Sequence, residues 1–231
     1  MTKRKMEYWV IPPEGEGEFV ASMENVLDTY AQPFDSRNPV VCMDEQPVQV
    51  LKETRTPIPA TIQHPRRVDY EYERAGTASI FMFCEPLSSW RQVTVRPQRT
   101  KVDWAIEVEA LLRTRYATAE KVILVSDNLN THTIGAFYEA FDPETARALV
   151  RRVEFRHTPK HGSWLNIAEC ELSAMTRQCV HGRRFGTVDL LRTETAAWHK
   201  YNNDKQRGVD WQFQIADARI KLKSLYPKIR V

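Results

Sequence analysis

Three carboxylates stand where ligands commonly gather. Asp44 closes the apolar run of residues 40–43, Asp127 closes the continuous apolar run of residues 121–125, and Glu169 lies in a helical stretch that opens after a turn punctuated by Pro159 and Gly162. Acids at strand ends sit at the rim of a sheet, the usual place for a ligand in an open α/β fold. If the two strands are neighbours, their ends would place Asp44 and Asp127 a few ångströms apart. Like charges that close require a cation between them, or one must take up a proton. Oxygen ligands of this kind suit Mg²⁺ or Mn²⁺. Two such ions, about 3.5–4 Å apart, clamp the attacking and leaving oxygens of an in-line phosphoryl displacement. Each acid also has a plainer reading. Asp44-Glu45 before Gln46-Pro47 fits a turn, Asp127-Asn128 fits a helix cap, and Glu169 fits a surface acid, with Glu171 an equally visible rival.

These acids need elements to position them. Residues 40–43, bounded by Pro39 and Pro47, read as a buried strand. Residues 52–69 carry Pro57, Pro59 and Pro65 and read as an irregular loop. Residues 77–83 and 90–95 are strand-like and continue an antiparallel meander. Helical spacing runs over 102–116. The run 121–125 suits a strand covered on both faces. Two helical stretches follow at 134–141 and 143–150, then a short strand at 153–155. Trp164 is expected to open a helix to about Val180, with further helices over 188–202 and 215–226. Near the start, Phe19, Val20, Met23, Val26, Leu27 and Tyr30 repeat at helical spacing until Pro33, as a cover or a linker. This order predicts an α/β or α+β fold around one mixed sheet, with residues 1–36 as an N-terminal helical linker segment and 37–231 as the main domain.

Composition narrows the classes. The chain is 42% hydrophobic and 27% charged, ordinary for a soluble domain and unlike a disordered chain. No run approaches the roughly 18–20 apolar residues of a spanning helix, and the basic start lacks a signal peptide's apolar core. A cytoplasmic location is expected. Four cysteines without a C-x-x-C pair indicate neither a disulfide framework nor a zinc ribbon, and His157, His161, Cys170, Cys179 and His181 match no common finger spacing. The net charge of +3 hides an asymmetry. Residues 151–231 carry 16 Lys and Arg against 8 Asp and Glu, and the rest of the chain is net acidic. A basic C-terminal third suits a polyanion such as nucleic acid. Arg183, Arg184, Arg219, Lys221 and Lys223 are candidate phosphate contacts, and Lys160, His161 and Trp164 flank the turn before Glu169, where a cation and an aromatic ring can hold a phosphate and stack a base. Trp90, Trp104, Trp198 and Phe185 fit core positions, and Trp211-Gln212-Phe213 fits a clasp for the last helix.

Several of these segments resemble a known family. Ser126-Asp127-Asn128-Leu129-Asn130-Thr131-His132 is similar to the second-aspartate motif of mariner-like DDE transposases, in bacteria most like the insertion sequence 630 family. Residues 158–169, with Leu165-Asn166 and Glu169, resemble that family's third-carboxylate motif, and Val40-Val41-Cys42-Met43-Asp44-Glu45 resembles its first-aspartate strand. The resemblance implies a ribonuclease-H-like fold, a five-stranded mixed sheet flanked by helices. It implies that Asp44, Asp127 and Glu169 form the catalytic triad holding two Mg²⁺ or Mn²⁺ ions, with Glu169 chosen over Glu171 and with Asn128, His132 and Asn166 in support. It implies metal-dependent cleavage and strand transfer at transposon ends, double-stranded DNA (element ends and target) as partner, a homodimer on DNA, no membrane and a nucleoid-associated place in the cytoplasm. The alternatives are an endonuclease without transfer, or an inactive DNA-binding or oligomerising fragment. The spacing from Asp127 to Glu169 exceeds that usual in mariner relatives, an insertion expected around residues 143–150. Only 43 residues precede Asp44, so a catalytic portion without most of an upstream helix-turn-helix module is expected.

Overall fold

The computed structural model describes residues 15–228. Five strands form one sheet in the order β3-β2-β1-β4-β5. The first, β1 (Val40–Glu53), runs antiparallel to β2 (Tyr72–Glu85), which runs antiparallel to β3 (Trp90–Arg96). On its other side β1 pairs in parallel with β4 (Val122–Ser126), and β4 with β5 (Val153–His157). The mixed sheet expected from the motifs is therefore present.

Two apolar faces fill the molecule, and strand alternation assigns each residue to one of them. Val40, Cys42, Val48 and Val50 of β1 join Ile80, Met82 and Cys84 of β2 on the first face. Four helices cover it: α1 (Gly17–Ala31), α5 (Ile167–Met175), α6 (Val188–Asp204) and α7 (Ile215–Lys221). Val41, Met43, Phe81, Phe83 and Leu124 face the other way, under α2 (Lys101–Arg113), α3 (Ile134–Ala140) and α4 (Pro143–Val150). Helix α1 is a cover by its packing: Phe19, Met23, Val26 and Leu27 are buried in the first core, and Tyr30 Oη donates to the Leu165 carbonyl at 2.8 Å. Of the aromatic residues, Trp104, Trp198 and Phe185 are buried and Trp90 is half-buried. In the 211–213 segment Trp211 packs against Tyr30 and Phe213 against Trp164, with Lys221 of α7 over the Phe213 ring.

Three local expectations need correction. Strand β1 does not end at Asp44. It continues through Pro47 to Glu53 because β2 keeps pairing with it, Pro47 opposite Ser79. Past Cys42, β1 has lost β4 and has a neighbour on one side only, where a proline is tolerated. The helix expected from Trp164 starts at Ile167 instead. Ser163–Leu165 form a 3-10 turn, and Thr176–Val180 form a π turn after α5. The last helix likewise stops at Lys221, with a 3-10 turn at Lys223–Leu225. Of the two cysteines near α5, Cys170 is exposed and Cys179 is buried.

Candidate active site

The register of the parallel pair carries the geometry. Cys42 lies opposite Val125, the last pairing of β1 with β4. Asp44 and Asp127 each follow two residues later, so the two carboxylates leave adjacent strands at the same level, and strand spacing is about 4.8 Å. Two-residue periodicity aims both toward the face of Cys42 and Val125, the face on which α5 packs. Helix α5 brings Glu169 to the same place. Asp44 and Glu169 line one cleft of about 380 Å³, with Glu45, Gln46, Leu172, Ser173, Thr176 and Arg177. Asp127 opens on an adjoining cleft of about 330 Å³, with Asn128, Leu129, Thr158, Pro159, Lys160, His161 and Ser163.

Asn166 fixes the approach of α5. Its side-chain oxygen accepts from Ala168 N at 3.1 Å, capping the helix, and its Nδ2 donates to the Met43 carbonyl at 2.8 Å. One buried amide thus ties the first turn of α5, and Glu169 with it, to the strand residue next to Asp44. Glu169 and Glu171 differ in burial. Glu171 turns inward to a bidentate pair with buried Arg91, at 2.8 and 3.1 Å, while Glu169 is exposed in the cleft.

His132 holds Asp127 from behind. The ring is buried beneath Trp104. Its Nε2 donates to Glu45 Oε1 at 2.8 Å, and its Nδ1 lies 2.8 Å from Asp127 Oδ1. Burial disfavours the charged ring, but the carboxylates of Asp127 and Glu45 outweigh it and push the imidazole up to about 10. His132 therefore lies between two acids whose charges favour its protonated form, hydrogen-bonded to Glu45 and close to Asp127. Nothing in the spacing singled out Glu45 as its partner, because β1 was expected to stop one residue earlier. With β1 running on, Glu45 alternates to the opposite face from Asp44, where α2 and His132 lie.

The turn before α5 shapes the Asp127 cleft. Gly162 N donates to the Pro159 carbonyl at 2.8 Å, and His161 takes a left-handed φ of 64°. A Cβ on Gly162 would meet Pro159 Cγ at 2.6 Å, so this tight return requires glycine. The turn sets Lys160 and His161 on the cleft wall beside Asp127. Trp164 points elsewhere, packing its ring on Phe213 at 5.7 Å. The other basic candidates are engaged within the chain. Arg183 pairs with Glu194 and Arg184 with Glu53, Arg219 grips Glu24 with two bonds, and Lys221 lies 3.5 Å from Asp217. Lys223 is exposed at the C-terminal 3-10 turn. None of the five lines either acidic cleft.

The donor set fits a hard divalent cation. All three acids offer oxygen, as Mg²⁺ and Mn²⁺ prefer. Buried Asp127 Oδ1 is out of line for a hydrogen bond to His132 and has no hydrogen-bond partner. Asp44 is pushed up to about 7 by burial and by the charges of Asp127, Glu45 and Glu169, with the Glu45 amide opposing. That mutual repulsion is what a cation would relieve. Among the described residues no three His, Cys, Asp or Glu side chains are already drawn together tightly enough to hold one ion. Asp127 leans toward His132 instead.

Residues 39–192 match the family described as DDE superfamily endonuclease. The chain belongs to that family. Three solved structures share the fold of this chain. The Mos1 mariner paired end complex with Mn aligns at 16% identity and a TM-score of 0.56 over 89% of this chain and 61% of that one. The Mos1 paired-end complex with left transposon end aligns at 15% identity and a TM-score of 0.55 over 97% and 68%. The catalytic domain of Mos1 mariner transposase aligns at 14% identity and a TM-score of 0.53 over 86% and 92%. The chain thus spans 92% of the isolated Mos1 catalytic domain but about three fifths of the fuller Mos1 chain. No curated protein matches it. No helix among the described residues is long and apolar enough to cross a membrane.

Proposed function

We propose that this chain is the catalytic domain of a DNA transposase, which hydrolyses a phosphodiester at a transposon end and transfers the freed 3′-hydroxyl to target DNA. The observation that carries the reading is the coincidence of Asp44 and Asp127 at one level of adjacent parallel strands, facing Glu169 on α5, in a chain of the DDE superfamily endonuclease family. Asp44, Asp127 and Glu169 would hold two ions of the Mg²⁺ or Mn²⁺ type, which when bound neutralise charge on the attacking and leaving oxygens. Mos1 has been solved with Mn and with Mg, in paired-end complexes and as a strand transfer complex, which supports extending the same chemistry to this chain, with a homodimer on double-stranded DNA.

The chain's own groups supply positioning. His132 and Glu45 set the Asp127 carboxylate, and Asn166 sets the reach of Glu169. Lys160 and His161, on the rigid turn beside Asp127, meet the phosphate of the strand to be cut, and exposed Asn128 lines the same wall. In the first step a water oxygen bonds to phosphorus and the bond to the 3′-oxygen breaks, leaving a 3′-hydroxyl and a 5′-phosphate. In the second that hydroxyl replaces water: its oxygen bonds to a target phosphorus as the bond to the target's own 3′-oxygen breaks, and that oxygen takes up the proton released and leaves as a new 3′-hydroxyl. Catalysis of this kind is largely alignment and charge neutralisation.

Nicking of supercoiled plasmid in Mg²⁺ or Mn²⁺ tests the reading. Wild type is expected to nick and Asp127→Ala to lose at least 100-fold, a loss of the order seen when one preorganised charge-stabilising group is removed. Equal nicking by both, or none by wild type with DNA still bound, would overturn it. The latter result would point to an idle DNA-binding fragment. Joining of a precut end to plasmid separates a transposase from an endonuclease without transfer.

A further inference from the structure

Among the described residues, three that are not glycine hold a positive φ. His161 is one, on the wall of the Asp127 cleft. The other two, Ser89 at 54° and Gln206 at 49°, belong to two turns that pack against each other far from that wall. Such backbone is costly for a residue with a Cβ, and it collects at functional sites.

The turn at 205–208 follows α6 and is clamped from several sides. Gly208 lies so close to the 86–89 turn that a Cβ there would meet Ser89 Oγ at 2.5 Å. Gln206 N donates to the Asn203 carbonyl at 3.0 Å, and Asn203 is bonded to both backbone groups of Arg91. The Arg207 carbonyl accepts from the Arg91 guanidinium, which also holds Glu171. The backbone of the turn is thus fixed to β3 and, through Arg91, to the helix that carries Glu169.

This rigid turn presents unspent charge to solvent. Lys205 and Arg207 are exposed and make no ion pair among the described residues, whereas Lys200, on the last turns of α6, pairs with Asp204 at 2.8 Å. Both cations lie over one ring. Lys205 Nζ is 4.1 Å and the Arg207 guanidinium 5.9 Å from the centre of Tyr201, itself 52% exposed. Lys205 Nζ also donates to Tyr201 Oη. That bond and the charges of Lys205 and Arg207 hold the Tyr201 hydroxyl below its ordinary 10.0. The shared ring keeps the two cations within about 10 Å of each other. Duplex DNA carries one negative charge per roughly 1.7 Å of its axis, so cations that close meet neighbouring phosphates. The location agrees. Cys42 pairs with Cys84 and Cys84 with Arg91, which puts Arg91 two strands, about 10 Å, from a residue two before Asp44. A duplex laid over the acids covers that distance in a few base pairs, at about 3.4 Å each.

We infer that Lys205 and Arg207, carried on Tyr201, form an anchor for the backbone of double-stranded DNA at the end of α6, separate from the acidic clefts and indifferent to base sequence. Phosphate contacts of this kind fix the register of a duplex without reading it. The inference rests on the endonuclease reading for its ligand, but binding alone tests it. Cations at a helix end also complement its dipole, a role that would change stability on their removal and leave DNA binding alone.

The test measures binding of a fluorescent DNA duplex by anisotropy, in EDTA, over a series of salt concentrations, with urea unfolding alongside. Lys205→Gln and Arg207→Gln are each expected to weaken binding several-fold and to lower the slope of log K against log salt by about one, and the double variant by about two. The loss should be the same on duplexes of unrelated sequence. Arg183→Ala, which removes an arginine already paired with Glu194, should leave the slope unchanged. A double variant with wild-type affinity and slope would overturn the inference, and a lowered unfolding midpoint beside it would assign the cations to the helix dipole. An equal drop with Arg183→Ala would overturn it as diffuse charge, and so would failure of wild type to bind duplex at low salt. Absence of plasmid nicking by wild type, with the slope changes intact, would remove the endonuclease reading and leave the anchor standing.

Discussion

His132 neutralises two acids that would otherwise face each other through the floor of the site. Glu45 Oε1 and Asp127 Oδ1 each lie 2.8 Å from one of its ring nitrogens, and its side chain has no exposed surface. Removing one member of a buried charged set costs about 3–5 kcal/mol because the remaining charges stay buried and unpaired. The Asp127 side chain is 31% exposed, so solvent screens part of this loss. His132→Ala is therefore expected near the lower end of that range in urea unfolding. Neutralising the stranded partner should recover part of it, so Glu45→Gln/His132→Ala should be more stable than His132→Ala alone. A double variant no better than the single one would show that the ring is held by packing under Trp104 rather than by charge. Plasmid nicking should fall in His132→Ala even below its unfolding transition, because Asp127 is then free to turn.

Helix α6 and strand β3 meet through polar contacts as well as apolar ones. Asn203 accepts from Arg91 N at 2.9 Å and donates to Arg91 O at 2.7 Å, and His199 Nδ1 accepts from Val93 N at 3.3 Å. That last bond requires a bare Nδ1. Burial, helped by the charge of Arg91, lowers the His199 affinity for protons below its ordinary value of 6.5. The unfolded chain then binds the proton more readily than the folded one, so stability rises with pH through this window. The His199 contribution is present in full above about pH 6.5 and is lost as the pH falls below it. Urea midpoints for wild type should drop between pH 7.5 and 5.5 by more than those of His199→Asn, whose side-chain oxygen can keep the Val93 bond without titrating. Equal pH dependence in both would place the effect elsewhere. Elements of this sheet were legible where they are continuously apolar, as in β4, or rich in β-branched and aromatic residues, as in β3. The ends were not. Pro47 reads as a stop in any linear pattern, and only the persistence of β2 alongside carries β1 on to Glu53.

Across the whole molecule, the placement of the acids at element ends was legible and the partners of the cations were not. The acids sit at points that local pattern marks, the exit of β4 and a capped helix start. Whether an arginine is available to DNA depends on which distant carboxylate folding brings to it. Arg219 meets Glu24, and Arg184 meets Glu53, from far along the chain. Two arginines of the C-terminal third are thereby engaged in tying α7 to α1 and the 183–185 segment to the β1–β2 hairpin, while Lys160 and Arg177 line the clefts of the acids. The folded chain thus carries a small concentrated negative centre, in which Asp44 is pushed up to about 7 by burial and three acidic neighbours. A ligand that binds only the folded state stabilises it by RT ln(1 + [L]/Kd), about 2.7 kcal/mol at a hundredfold excess over Kd. For a chain of this size each kcal/mol moves the melting temperature by about 2–4 °C. Mn²⁺ at that excess should raise the wild-type Tm by roughly 5–10 °C over EDTA. Asp44→Asn removes one of the repelling charges and should melt above wild type in EDTA, yet gain little from Mn²⁺. The crossing of the two curves is the decisive feature, because an acid that merely capped a turn would lower stability when neutralised and would leave the Mn²⁺ shift intact.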